Sequence, residues 1–431
     1  MKGKAMKKKE EEIIWSRSNG SLFEDFAISL EEYTRTGKVP AEGDQDIQYG
    51  LELQNKRLQK KGLSMLYKFV PRGHFAGGMK QYKSWRDAHY TSTLQMRTCR
   101  MERSLYKGSK KEHEDKENMT FVQTITDVNT PQLVGNDVHN CPNCGAPVST
   151  ETLQNGCPYC GSHFDISDIF PKVSNYYFYK DPSMTDKEYK VYMVKLMIGC
   201  GLLFFLYGTI YSIINTDSSL ISIVIIQIIT GIFGGVVMGY FLASLGLLGK
   251  AFYNAGKTLC LLPSMGTGGR FVRQMQKYSP EFSFEYFSNK VVSLLKMILF
   301  ADNPSDLPVY TGIPLGNMFE NIVDVLYTGV LGLKTFKVNG DFCEISVNVF
   351  LDNLYDNGNR IFQRRDKYRV WVRKNIRRPI NMNFSIRHLQ CKGCGMSFDA
   401  TKEKHCPGCG TEYDLATEDW VVTKIVRLKV F

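Results

Sequence analysis

Charge is missing from two long stretches of this sequence. From Leu196 to Ile214, and again from Ile221 to Gly249, there is no Asp, Glu, Lys or Arg. Runs this long exclude an ordinary solvent-facing helix. At about 1.5 Å per residue the first reaches roughly 28 Å, the thickness of a bilayer's hydrocarbon core. A proton or ion path finds no support, since it would need ionisable side chains inside the helices. The connection "NTDSSL" holds one Asp and no Lys or Arg, whereas residues 172–195 hold five lysines and residues 250–277 hold five basic residues and no acid. Positive charge stays on the cytoplasmic side, so the pattern predicts a two-span hairpin with both flanks inside.

A cleavable leader is not visible either. The opening "MKGKAMKKKEEE" is charged, no apolar core follows it, and residues 1–20 read as a solvated tail. The cysteines do not read as a disulfide framework. Eight of the twelve fall in C-x-x-C pairs, and Cys99, Cys200, Cys260 and Cys343 stand alone. Cys141 and Cys144 face Cys157 and Cys160 across a loop of twelve residues; Cys391 and Cys394 face Cys406 and Cys409 across eleven. Each C-x-x-C turn presents two thiolates, and two such turns complete a four-sulfur tetrahedron, so two structural Zn2+ ions are expected. Glycine follows every pair, at Gly145, Gly161, Gly395 and Gly410. "CPYC" at 157–160 also matches a redox dithiol, but the partner pair upstream and the missing strand–helix context favour metal. His163 and His405 adjoin the cysteines and are left outside the ligand set, because four sulfurs already close the site.

Gly231, Gly235, Gly239 and Ala243 recur every four residues in the second apolar run. That spacing lines small residues along one helix face, where another backbone can come close. The first helix of the hairpin is the expected partner; a homodimer through the same stripe is the sharper alternative.

Beyond the hairpin, "SPEFSFEYFSNKVVSLLKMILFAD" has an N-cap, a first-turn proline and apolar residues at helical spacing: Phe284, Phe287, Val291, Leu294, Leu295 and Ile298. A second helix is predicted over Leu315–Leu326. "FCEISVNVFL" (342–351), "KYRVWVR" (367–373) and the closing "WVVTKIVRLKV" alternate as strands do. Helices followed by antiparallel strands predict an α+β fold. The helix above, with "GDFCEISVNVF", "YRVWVRKN" and "EDWVVTKI", resembles the C-terminal domain of the forty-four-kilodalton tether subunit of the mitochondrial inner-membrane translocase. The layout is closer to bacterial relatives of that family that carry zinc ribbons and membrane segments. The resemblance covers about residues 278–431. It implies a nuclear-transport-factor-two-like (cystatin-like) domain interrupted by a zinc ribbon, docking at a bacterial plasma membrane without catalytic residues. The mitochondrial protein lacks the hairpin and the inserted ribbon, so its partners do not carry over.

The expected organisation is a tail (1–20), an N-terminal α+β domain (21–139), a first ribbon (140–165), a linker (166–195), the hairpin (196–249), a basic hinge (250–277), the α+β domain (278–390 and 411–431) and the second ribbon (391–410). Strand, polar turn, strand and ribbon occur in both halves, Leu94 preceding its first zinc cysteine by 47 residues and Ile345 its own by 46. A degenerate internal duplication is therefore expected. Residues 51–70 read as helical, and "KGSKKEHEDKEN" (107–118) as a charged loop.

Residues 359–378 hold nine Lys or Arg against one Asp. Strand alternation puts Arg369, Trp371 and Arg373 on one face, opposite Tyr368, Val370 and Val372. With Arg360, Arg364, Arg365, Lys367 and Lys374 they form the expected docking set for anionic lipid or a protein partner; the bland alternative is a solvated sheet face. "AFYNAGKT" (251–258) loosely matches a phosphate-binding loop but follows a membrane helix in place of a strand. The functional expectation is a non-enzymatic, membrane-anchored tether or adaptor, in protein transport or assembly. The alternatives are a nucleic-acid-binding ribbon protein, disfavoured by the anchor and the missing stacking aromatics, and an enzyme using a pocket of the α+β cone.

Overall fold

The computed structural model describes residues 21–72, 83–86, 90–128, 138–141, 144, 146–149, 152, 156–161, 171–180, 186–215, 220–259, 269, 271–278, 282, 284–377, 388–400, 402–417 and 419–428. The tail, His163, Gly145, the N-cap segment at 279–281 and the connection 216–219 lie outside them. The chain divides into two compact units. One is the hairpin; the other joins the regions before and after it.

The larger unit is α+β. Its first half runs α1 (Leu22–Thr36), α2 (Gln45–Lys60), β1 (Leu63–Pro71), β2 (Lys83–Arg86), β3 (Tyr90–Lys107), β4 (Lys110–Val128), the short pair β5 (Val138–Asn140) and β6 (Pro147–Ser149), and β7 (Lys172–Lys180). Antiparallel pairing gives the sheet order β1-β3-β4-β7, with β2 also on β3. Two expectations fail here. Residues 63–71 are strand, because Gly62 takes a positive φ of 65° after α2 and Leu63, Met65, Tyr67 and Phe69 then alternate inward. The charged segment 107–118 is also strand: Gly108 turns the chain tightly, and Lys116 pairs with Glu102 and Arg103 with Asp115 across β3 and β4.

In the second half come α5 (Phe284–Phe300), β8 (Ile322–Asn339), β9 (Phe342–Asp356), β10 (Ile361–Asn375), the short pair β11 (His388–Gln390) and β12 (Ser397–Asp399), and β13 (Val421–Leu428). The intervening α3 (Asp186–Asn215) and α4 (Leu220–Leu259) are the hairpin. Phe287, Val291, Leu294, Leu295 and Ile298 of α5 are fully buried, as their spacing predicts. The helix expected at Leu315–Leu326 is absent: Gly316 sits at φ 55° in a run of turns, and the strand begins at Ile322, where Val323 and Val325 suit extended backbone. The sheet order is β13-β10-β9-β8.

Both halves follow one plan. A helix leads into a loop, then three antiparallel strands, a cysteine knuckle and a fourth strand that returns beside the third. The match extends to single residues. Val173 N–H donates to Glu42 O (2.8 Å) and its carbonyl accepts from Asp44 N–H (2.9 Å); Val422 N–H donates to Val309 O (2.8 Å) and its carbonyl accepts from Thr311 N–H (3.0 Å). These form isolated parallel bridges, Gly43 with Val173 and Tyr310 with Val422. The residue after each valine, Ser174 and Thr423, is skipped by a β-bulge and sends its hydroxyl 3.4 Å to the carbonyl of Thr124 and Trp371 respectively. The halves differ in α2, whose place in the second half is taken by the turns at 316–321. This extra helix lies between the halves, packing on β1 and also on α5 and β8.

Within the hairpin, the small-residue stripe meets the first helix. A Cβ added at Gly235 would lie 2.7 Å from Gly201 Cα and from Met197 O; one at Gly239 would lie 2.5 Å from Met197 Cα. Gly231 approaches Gly201 in the same way, and Ala243 is fully buried. The stripe is therefore packed against the first helix of its own hairpin. Gln227, a polar residue inside the second run, donates to Ser212 Oγ on the first helix at 3.1 Å. Gly235→Leu should force the helices apart and cost about 1–3 kcal/mol, as overpacking does elsewhere; thermal unfolding in detergent would show it as a lowered midpoint of helix loss.

Candidate metal centres and a basic sheet face

Each knuckle is a two-stranded clip closed by sulfur. β5 and β6 pair His139 with Val148, and β11 and β12 pair Leu389 with Phe398, leaving the first C-x-x-C at the tip. Cys141 N–H donates to Ala146 O and Cys391 N–H to Met396 O, which folds the turn back beneath the thiols. Gly161, Gly395 and Gly410 adopt φ values of 71°, 74° and 73°, a conformation that other residues resist, so the glycine after these three pairs is a backbone requirement.

The four sulfurs of each cluster lie within 4.8 Å of one another. Cys141–Cys160 and Cys144–Cys157 are 3.7 and 3.6 Å apart, and Cys391–Cys409 and Cys394–Cys406 are both 3.5 Å apart. These distances are far beyond a disulfide bond of about 2.05 Å. They match the roughly 3.8 Å edge of a tetrahedron with sulfur about 2.3 Å from a central ion. Without an ion the thiols split: the backbone N–H groups of Cys394 and Gly393 pull Cys391 down to about 6, whereas burial pushes Cys144 up to about 12 and, against the Met396 N–H, the neighbouring thiols hold Cys394 up at about 12, so the spacing of the sulfurs and not their acidity carries the metal reading. Both clusters thus suit a structural metal ion. His405 makes a backbone bridge to Glu412 and stays outside the cluster. The apolar support is small, Ala146 and Val148 in one knuckle, Phe398, Ala400 and the partly buried Tyr413 in the other, so a bound ion would supply most of the cohesion.

The second knuckle also ties the halves together. Lys402 pairs with Glu52 of α2 at 2.8 Å and lies over the Tyr49 ring; within its own half, Lys404 donates to Ser305 O.

On β10 the alternation is as expected: Tyr368, Val370 and Val372 are fully buried, while Lys367, Arg369, Trp371 and Arg373 lie on the other face. Lys374 departs from the expected docking set. One residue beyond Arg373, it falls on the inner face and is 1% exposed. Other members are partly engaged. Arg365 forks onto Asp352 (2.6 and 2.8 Å) and Arg369 donates to Asn348 (3.1 Å), whereas Arg364 also departs from the expected set: by alternation it lies on the side of Asp366 and Tyr368, pairing with Asp366 (2.9 Å) and lying over the Tyr355 ring. Arg360 sits at the β9–β10 turn, Lys367 lies over Phe350, and Arg373 over Phe342. Two cations that composition did not single out join this face: Lys424, which stacks on Trp371 at 5.1 Å, and Lys337, opposite Glu344. Only the strand register, bulge included, reveals them.

Between the halves runs a seam of buried charge. Lys290 of α5 reaches Asp46 of α2 (2.5 Å) and Asp419 before β13 (2.8 Å). Arg57 of α2 donates to Leu299 O, Ala301 O, Phe319 O and Ile322 O, closing the C-terminal end of α5. Asp324 accepts from Arg103 (2.7 Å), Tyr67 (2.7 Å) and Gln54 (2.9 Å). Beside it is a cavity of about 20 Å3, lined by Asp324, Tyr67, Asn175, Ser293 and Lys296, which is room for about one water. Burial pushes Lys296 down to about 8 against the pull of Asp324, and its ammonium lies 4.2 Å from the Tyr176 ring centre.

No family model, no curated protein and no solved structure matches this chain.

Proposed function

We propose that the chain is a membrane-anchored tether or adaptor, with its hairpin crossing a bacterial plasma membrane twice and both flanks cytoplasmic. Its soluble unit, braced by two zinc ions, docks a protein or anionic lipid in the transport or assembly of other proteins. The observation that carries this is the hairpin: two helices long and apolar enough to cross a membrane, Tyr189–Asn215 and Leu220–Gly246, each of 27 residues. They close on each other through glycine, yet leave Leu203, Ile214, Ile229 and Phe233 exposed on their outer sides. Side chains like these need lipid around them. Zinc is the ion that four thiolates in a closed tetrahedron favour. The helix followed by a four-stranded meander supports the likeness to the translocase tether family and its cone-shaped fold, and the matched bulges and bridges support an origin by duplication.

The docking surface is the outer side of β10 and its neighbours, where Trp371 sits among Arg369, Arg373 and Lys424. Each basic residue near an anionic membrane is worth about 1 kcal/mol. A photo-cross-linking amino acid at position 371, in the full chain in its native membrane, tests this. Adducts to lipid or protein that disappear with Arg369→Glu and Lys424→Glu are expected. An absence of adducts, with the chain still resident in the membrane, would remove docking from this face.

A further inference from the structure

We infer that the loop 311–319 is a finger for the membrane interface, inserting Ile313, Pro314 and Met318 among lipid headgroups, while Leu315 packs inward on the core. This rests on the anchor reading above and names a contact that reading does not contain. The stretch "TGIPLGNMF" has no charged residue. Ile313 is 73% exposed and Met318 44%, in a unit whose other large apolar side chains are mostly covered. Scattered exposed apolar residues are ordinary; several on one uncharged loop are not.

The exposure is built in. Tyr310 is fully buried and its hydroxyl donates to Ile313 O at 2.6 Å, while Thr311 N–H donates to Val422 O at 3.0 Å. Gly312 lies so close to Thr423 O that a Cβ there would meet it at 2.3 Å, so the loop is pressed against β13 before Ile313 turns outward. At the other end Phe319 is buried and its carbonyl accepts from Ile322 N–H. A finger pinned at both ends loses little entropy on docking.

Charge and position select the occupant. Directly after Thr423 comes Lys424, stacked on Trp371, and Arg373 pairs in register with Val421. An apolar tip beside cations and an interfacial tryptophan is complementary to a phospholipid surface, whose phosphates meet the cations while acyl chains receive the tip.

The full-length Ile313→Trp protein, reconstituted in nanodiscs of phosphatidylcholine with phosphatidylglycerol, gives the test once wild-type emission is subtracted. The added tryptophan should emit at shorter wavelength than in water and lose intensity when the lipids carry acyl-chain bromine. Lys424→Glu in the same protein should weaken that quenching. Water-like emission that bromine does not touch, from protein firmly resident in the disc, would overturn the finger and leave the anchor standing. Emission shielded only when soluble protein is added would assign the loop to a protein partner and equally overturn it. Failure of the chain to enter discs at all would overturn finger and anchor together.

Discussion

Lys290→Met should lower the unfolding free energy by about 3–5 kcal/mol, the usual cost of leaving a buried partner charge uncompensated. Two carboxylates, Asp46 and Asp419, would then face each other across the vacated amine, one from each half. Lys290 is only 6% exposed, so water cannot take its place cheaply. The pH dependence has a definite sign. Burial alone would lower this ammonium, but Asp419 and Asp46 outweigh it and hold Lys290 well above its ordinary 10.5. A raised lysine stabilises fully below 10.5 and loses its contribution as pH climbs through the raised folded value. Denaturant titrations should therefore show wild type losing stability in strong alkali and Lys290→Met, already weaker, losing less. A triple apolar replacement of Lys290, Asp46 and Asp419 should recover much of the loss. Equal stability of Lys290→Met and wild type at neutral pH would mean that the seam does not hold the halves together.

Metal removal should have the other large effect. Structural zinc supplies about 10–16 kcal/mol to isolated small fingers, and here each knuckle has only a few apolar side chains besides its sulfurs. The purified chain should carry two ions, Cys406→Ser one, and Cys157→Ser with Cys406→Ser none, by elemental analysis. In Cys406→Ser the second knuckle should open and release Lys402 from Glu52 and Lys404 from Ser305 O. Hydrogen exchange would then rise in α2 as well as in 391–412. Exchange confined to the knuckle would show that it does not brace the halves.

How far these features were legible from sequence depends on the range of the interaction. The cysteine clusters are local and their spacing is stiff, so ligands and glycines could be read directly. The hairpin was equally plain, because lack of charge over a membrane's length has few other meanings. Residues 63–71 mislead because Leu51, Leu58 and Met65 are seven apart, which mimics a helical face, while the alternation from Leu63 to Phe69 is the signal that wins. Lys374 was grouped by composition with its neighbours, although the alternation that placed Arg373 outward already placed Lys374 inward. The seam was out of reach. Arg103 and Asp324 are 221 residues apart, and nothing local marks either as a partner. The Trp371–Lys424 stack required the bulge at Thr423, a one-residue slip that composition does not show.

The measurement that bears most directly on the tether reading is the topology of the full chain in sealed, oriented membrane vesicles. Impermeant labels at an N-terminal tag, in the connection 216–219 and at a C-terminal tag should find both tags on the cytoplasmic side and the connection on the other, with the protein resisting alkaline extraction. Tags on opposite sides, or release of the chain by alkali, would contradict a two-span anchor.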